Sequence, residues 1–375
     1  MPNLDAIIKG HNRSYGDGTI RSGRQLPRDP KRIPTGVFVA DYISGGGLPL
    51  WGTTCFWGGE SGGKTTLALN TVKSAQLLCW RCFEYHWFCK CEDGPLRKKV
   101  YFGEVENTTD TEWAEAVGVD PDQWVIGQGE TGEEHMNIAK AVIQADDVGL
   151  IIIDSVAALT PGAEMDTDFE DLGKLMAKQA ILMTKATRIL KQQMIREMRR
   201  GHPVALLCTN QLRTKIGQLY GSPETMSGGH GMRHEFSLLL RCGKISLKDG
   251  TPDKLYKNKK DKWGNELASR HNLSVKKSKV LTLGGQAEYL RVKQEIPERR
   301  IRRGGIDDVD LIMKEARAAG IITDEKSKGW KFCGEHIKTL DVIYELLASN
   351  DQYRLKTQCD IIKFRKDELK AGVTD

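Results

Sequence analysis

Two rhythms of apolar and polar positions alternate along this chain. Short apolar runs of strand length occur at Thr53 to Trp57, Val100 to Gly103, Leu150 to Asp154 and Pro203 to Thr209, with a shorter one at Trp124 to Gly127. Between them lie helical stretches at Thr65 to Leu78, Thr111 to Val117, Met136 to Ala145 and Lys174 to Arg200. Strands that alternate with helices predict an α/β fold with a mostly parallel sheet covered on both faces. A basic arm with a short helix near Leu4 to Lys9 precedes this unit. From Asp307 onward the pattern changes to a small helical or mixed α/β region. The expected organisation is an N-terminal arm over 1–33, a core over 34–285 with an insert at 79–97, and a C-terminal domain over 286–375. No internal repeat is visible.

The strand at Thr53 to Trp57 runs straight into Gly58-Gly59-Glu60-Ser61-Gly62-Gly63-Lys64-Thr65, which fits the pattern G-x-x-x-x-G-K-[ST]. Such glycines let backbone N–H groups wrap phosphate without a Cβ in the way. The helix that follows aims its positive end at the same place. The expected ligand is ATP, cradled from Gly58 to Thr66, with Lys64 on the outer phosphates and the Thr65 hydroxyl on Mg²⁺. The strand ending in Asp154 fits the partner motif, an acid beside the metal at a strand's carboxyl end. Hydrolysis also needs a group that activates water. Glu106 and Glu104 both follow the strand at Val100 to Gly103, expected to neighbour the phosphate-loop strand, and spacing alone does not separate them.

Hydrophobic residues make up 39% and charged residues 28% of the 375-residue chain, as in ordinary globular proteins. The net charge of +6 is modest, but its distribution is not even. Cys242 to Arg303 holds 17 Lys and Arg against 7 Asp and Glu, which suits a phosphate-rich partner. No apolar run approaches the ~18 residues that span a bilayer, and the N-terminus lacks a signal-peptide core. A cytoplasmic setting is expected. In that setting the nine cysteines are not a disulfide framework.

Four cysteines instead cluster as Cys79-x₂-Cys82-x₆-Cys89-x-Cys91, a spacing that suits a closed, structural Zn²⁺ site. His86 is an alternative ligand. Cys55, Cys208 and Cys242 read as buried structural residues.

Around these motifs the chain resembles the RecA family of DNA strand-exchange ATPases. Pro34-Thr35-Gly36, Asp41 and GGGLPLWG are similar to that family's lead-in to its nucleotide loop. GGESGGKTTLAL, EVENTTD, LIIIDSVAALTP, TNQLRTKIGQLYGSPETMSGG and VKKSK follow in the family's order. The likeness covers roughly residues 4–285, with a weaker echo at Lys328 to Leu346, and the cysteine insert interrupts it. It implies a RecA-like ATPase core that forms homo-oligomeric helical filaments on single-stranded DNA, pairs it with duplex DNA and exchanges strands. It places the water-activating role on Glu106 rather than Glu104. It puts Asp110 and Trp113 at the adenine and Gln211 beside the γ-phosphate. It implies DNA contact from the loop over Leu212 to Gly229, with Arg213, Lys215, Gly217, Gly228 and Gly229. A second DNA loop falls on Ala163 to Leu172, acidic here. It also implies that Lys277 and Lys279 act across the subunit boundary, where trans-acting cations give ~10³–10⁵ in rate. The competing readings are a hexameric motor or signalling ATPase on the same core, and a non-hydrolysing DNA-binding scaffold.

Overall fold

A computed structural model describes residues 3–16, 19–25, 29–50, 52–165, 176–214, 224–245, 268–293 and 305–371. It opens with helix α1 (Leu4–Tyr15), capped by Asn3, whose side chain accepts from the Ala6 N–H at 2.9 Å. The helix runs past Lys9, where the apolar pattern fades, and buries none of its residues; Leu4 is 69% exposed and Ile7 40%. Strands β1 (Arg32–Ile33) and β2 (Leu48–Pro49) pair antiparallel around helix α2 (Phe38–Ser44). The buried Asp41 ties this corner, accepting from the Thr35 N–H (2.7 Å), Thr35 Oγ1 (2.8 Å) and the Gly36 N–H (3.1 Å).

The core follows in chain order as β3 (Thr53–Gly58), α3 (Lys64–Leu77), β4 (Lys99–Glu104), α4 (Thr111–Val117), β5 (Trp124–Gly127), α5 (Gly132–Val142), β6 (Val148–Asp154), α6 (Gly162–Met165), α7 (Met176–Arg199), β7 (Ala205–Thr214), β8 (Glu224–Met226), α8 (Gly229–Glu235) and β9 (Leu238–Lys244). It is completed by β10 (Ala268–Ser278), β11 (Gln286–Val292) and β12 (Ile306–Asp307). The sheet order is β12-β11-β10-β9-β3-β7-β6-β4-β5, with β8 paired to β7. The six strands from β9 to β5 are parallel, and β10, β11 and β12 extend the sheet antiparallel. The period of two sorts the strand residues into two cores. Phe56, Phe102, Leu150, Ile152, Leu207 and Leu240 pack with α3 and α4, while Cys55, Trp57, Ile151, Ile153, Leu206 and Leu239 pack with α5, α7 and α8. Helix α3 is buried almost all round, which explains its Thr, Ala and Leu composition without a polar stripe. Cys55, Cys208 and Cys242 are buried, as expected.

Two expectations need correction. The strand before Glu106 is not a neighbour of the phosphate-loop strand: β7 and β6 lie between β3 and β4. The entirely buried β6 takes an inner position, and β5, with Val125 and Ile126 exposed, takes the edge, so burial rather than chain order sets the sequence of strands. The sheet also continues beyond residue 285, because β11 pairs along β10 from Ala268↔Val292 to Ser274↔Gln286.

The last unit comprises α9 (Val309–Ala318), a small antiparallel sheet of β13 (Ile322–Asp324), β14 (Trp330–Phe332) and β15 (Glu335–Ile337), then α10 (Leu340–Ser349) and α11 (Asp351–Ala371). This is the mixed α/β region that the sequence pattern suggests. Phe38 of α2 enters its core beside Val309, Ile312 and Ile361, and the Phe38 N–H donates to Asp308 Oδ2 at 2.9 Å.

Candidate nucleotide and DNA site

The phosphate loop rises from the carboxyl end of β3, at the centre of the sheet. Gly58 lies against β9 so closely that a Cβ there would meet the Cys242 carbonyl oxygen at 1.9 Å. Gly63 starts α3 with φ +89°, and a Cβ would meet Tyr289 Oη at 2.7 Å. These two positions therefore exclude side chains for different reasons, close backbone approach and left-handed geometry. Glu60 and Ser61 are exposed on the loop, and Ser61 holds a positive φ of 55°. Lys64 Nζ donates to the carbonyls of Gly58 (3.2 Å) and Gly59 (2.8 Å).

Asp154 ends β6 and is buried. Burial raises its pKa, opposed by hydrogen bonds from the hydroxyls of Thr209 and Thr65. A buried carboxylate next to the Thr65 hydroxyl is an oxygen-only donor set in need of positive charge, and it fits Mg²⁺. Glu106 Oε1 accepts from Ser155 Oγ at 2.5 Å and from Gln211 Nε2 at 3.2 Å. Glu104, by contrast, is buried and committed to its neighbours: it accepts from the Thr109 N–H and, at 3.0 Å, from Gln128 Nε2. Burial would raise its pKa, but the bonds from Thr109, Gln128 and Thr108 lower it. Both acids line one cavity of about 230 Å³ with Thr65, Thr66, Asp110, Trp113 and Asp154. Asp110 caps α4, accepting from the Trp113 N–H at 2.9 Å, so it also sets where the indole stands.

Gln211 does not follow its strand, as the apolar pattern suggested. Strand β7 continues through it to Thr214, because β8 pairs back on the extension at Leu212↔Met226, Arg213↔Thr225 and Thr214↔Glu224. The Ser227 N–H donates to the Gln211 carbonyl at 3.3 Å, and Asn210 Nδ2 to the Ser227 carbonyl at 2.9 Å. Glu224 and Arg241 form a two-pronged ion pair (2.6 and 2.5 Å) that fastens β8 to β9. Arg213 is exposed on this neck, and Gly228 and Gly229 start α8, both with positive φ. Lys215 and Gly217 lie outside the described residues, as do residues 166–172 of the second expected DNA loop and much of the basic stretch.

Lys277 and Lys279 sit at the end of β10. Lys277 Nζ donates to the carbonyls of Arg233 (2.8 Å) and His234 (3.0 Å), and Lys279 Nζ to that of His234 (3.2 Å). Both cations thus cap the carboxyl end of the short helix α8, which follows the loop expected to contact DNA. Burial and the neighbouring Lys279, Lys191 and Arg233 lower the Lys277 pKa.

The four cysteines converge: one sulfur from each lies within 4.8 Å of all the others, and Cys79 Sγ to Cys91 Sγ is 4.0 Å. Tetrahedral Zn–S bonds of about 2.3 Å put sulfurs about 3.8 Å apart, so the set fits Zn²⁺. His86 is not part of it; its Nδ1 faces the Leu77 carbonyl at 3.1 Å. The insert is tied to the core by Tyr85, whose hydroxyl meets Ser74 Oγ at 2.8 Å on α3.

Three residues that sequence reading did not single out also reach this site: His271, Tyr289 and Arg291. His271 is buried under the phosphate loop. Its Nδ1 donates to the Gly62 carbonyl at 3.1 Å, its Nε2 faces Ser269 Oγ at 2.8 Å, and its ring stacks on Tyr289 at 5.3 Å. Burial lowers its pKa to about 4. The unfolded value is near 6.5, so its contribution to stability is complete above that and declines as pH falls toward 4. His271→Gln is expected to remove up to about 2 kcal/mol of the stability lost between pH 7 and pH 5. Urea titrations at the two pH values check this. The only sequence signal for these residues was the in–out alternation of Ser269, His271 and Leu273, hidden in a basic stretch.

Comparison with known proteins agrees with this geometry. The family described as RecA N-terminal domain matches residues 2–280. The protein RecA of Streptomyces avermitilis is 33% identical over 321 residues, covering 84% of this chain and 74% of that protein. The protein RecA of Nocardioides sp. is 32% identical over 84% of this chain and 80% of its own length. That of Mycobacteroides abscessus is 34% identical over 76% and 72%. With the phosphate loop on β3, Asp154 on β6 and the Gln211 strand between them, the chain belongs to the RecA family.

Proposed function

We propose that this chain is a DNA-dependent ATPase that polymerises on single-stranded DNA and exchanges strands with homologous duplex. One observation carries the reading: the Gln211 amide donates to Glu106, and the same strand carries Arg213 two residues later, at the neck of the segment expected to meet DNA. The phosphate loop and Lys64 hold the triphosphate, and Thr65 and Asp154 hold Mg²⁺, which neutralises charge on the phosphates. Glu106 orients and deprotonates the attacking water. While the γ-phosphate is present, Gln211 shares its amide between phosphate and Glu106. After hydrolysis it returns to Glu106 alone and the DNA loop loses that restraint. Lys277 and Lys279 supply positive charge to the nucleotide of the adjacent copy. Their position against α8 supports a link between that contact and the DNA loop. The exposed Lys326, Lys328 and Lys331 of the last unit suit capture of duplex DNA. The Cys79, Cys82, Cys89 and Cys91 site takes structural Zn²⁺. Among the described residues no helix is long and apolar enough to cross a membrane.

Negative-stain microscopy with ATP and single-stranded DNA tests the assembly. Helical filaments are expected. Closed rings would favour a hexameric motor on the same core.

A further inference from the structure

Among the described residues, Arg291 is the one cation that lines the cavity holding Thr66, Asp110, Trp113 and Asp154. It projects from β11, on the antiparallel extension of the sheet. Its Nη1 donates to Thr66 Oγ1 at 3.3 Å, and its Cζ lies 5.9 Å from the centre of the Trp113 ring. Its Nε is buried with no hydrogen-bond partner. Thr66 belongs to the phosphate-binding end, and Trp113 is the aromatic wall at the other. A nucleotide that spans the two must carry its sugar and innermost phosphate past the guanidinium that touches both. A planar cation with fixed donors suits that junction better than an ammonium, because it stacks on the ring and hydrogen-bonds to oxygen at once.

We propose that Arg291 is a nucleotide-binding residue that clamps the ribose and α-phosphate of ATP between Thr66 and Trp113. This rests on the assignment of the cavity to ATP. The interaction is with the ground state, at atoms remote from the bond that breaks, so it contributes to binding of ATP and ADP alike and not to the chemical step. Removing it costs about one charge-assisted hydrogen bond, on the order of tenfold in affinity.

The test is the DNA-stimulated ATPase of Arg291→Ala and Arg291→Lys, with the inhibition constant of MgADP measured in the same assay. Arg291→Ala is expected to raise KM for ATP and Ki for ADP by the same factor, about tenfold, with kcat within about twofold. Arg291→Lys, which keeps the charge and loses the planar donors, is expected to fall between. Arg291 would be only a packing residue, and the proposal overturned, if both constants stayed within twofold while thermal stability fell. It would also be overturned by a fall in kcat with KM unchanged. Lys64→Ala serves as the reference: if it too leaves fluorescent-ATP binding unchanged, the assignment of the cavity itself fails. If it weakens binding and Arg291→Ala does not, only the Arg291 proposal fails.

Discussion

Lys64→Ala is expected to abolish DNA-stimulated phosphate release, lowering kcat by on the order of 10³ or more. The ammonium stands at the start of α3, where its charge adds to that of the helix end. Among the described residues its hydrogen bonds go to the carbonyls of Gly58 and Gly59 on the loop. The fold does not depend on it, because β3 and α3 are held by the apolar contacts of Phe56, Leu67, Leu69 and Val72. Thermal unfolding should therefore stay close to that of the unaltered chain while turnover disappears. Full turnover by this variant would mean that the phosphates bind elsewhere.

Loss of the zinc proposed for the cysteine cluster is expected to be the second large effect. Four thiols in a short insert have little to pack on once the ion is gone; only Cys79 among them is buried. The surrounding aromatics partly compensate: Trp80 and Tyr85 are in the main core, and Lys31 and Lys356 lie over Phe83 and Phe88 at 5.8 Å. The loss is thus smaller than the ~10 kcal/mol or more of a free-standing zinc peptide, but several kcal/mol remain. Purified protein should carry about one zinc per chain, released on thiol modification, and Cys82→Ser with Cys91→Ser should lower Tm by about 10 °C or more. Zinc-free protein that melts at the same temperature as the zinc-loaded protein would refute a structural ion.

Much of this site was readable from residues alone because phosphate chemistry demands contiguous glycine, lysine and threonine, and because Asp154 ends the most apolar run of the chain. Spacing alone did not separate Glu106 from Glu104; the family resemblance favoured Glu106. Both follow β4, and only the structure reveals that Glu104 spends its oxygens on Thr109 and Gln128. Strand order was misjudged at β4, since pairing across the sheet is set by relative burial and leaves no local mark. The expected core stopped at residue 285, short of β11 and β12, because the strands here alternate polar and apolar residues within a basic stretch. His271, Tyr289 and Arg291 went unnoticed there. They reach the phosphate loop only through the register of strands that stand far from it in sequence.

The ten residues of β7 run unbroken from Ala205, in the middle of the molecule, to Thr214 at its rim. Extended chain rises about 3.3 Å per residue and hardly stretches. The proposed nucleotide contact at Gln211 and the proposed DNA contact at Arg213 are therefore joined by stiff extended chain instead of a tether. Lengthening that chain by a single residue would reverse the side on which every group beyond the insertion points, so the spacing between Gln211 and Arg213 is as much a part of the machine as either residue.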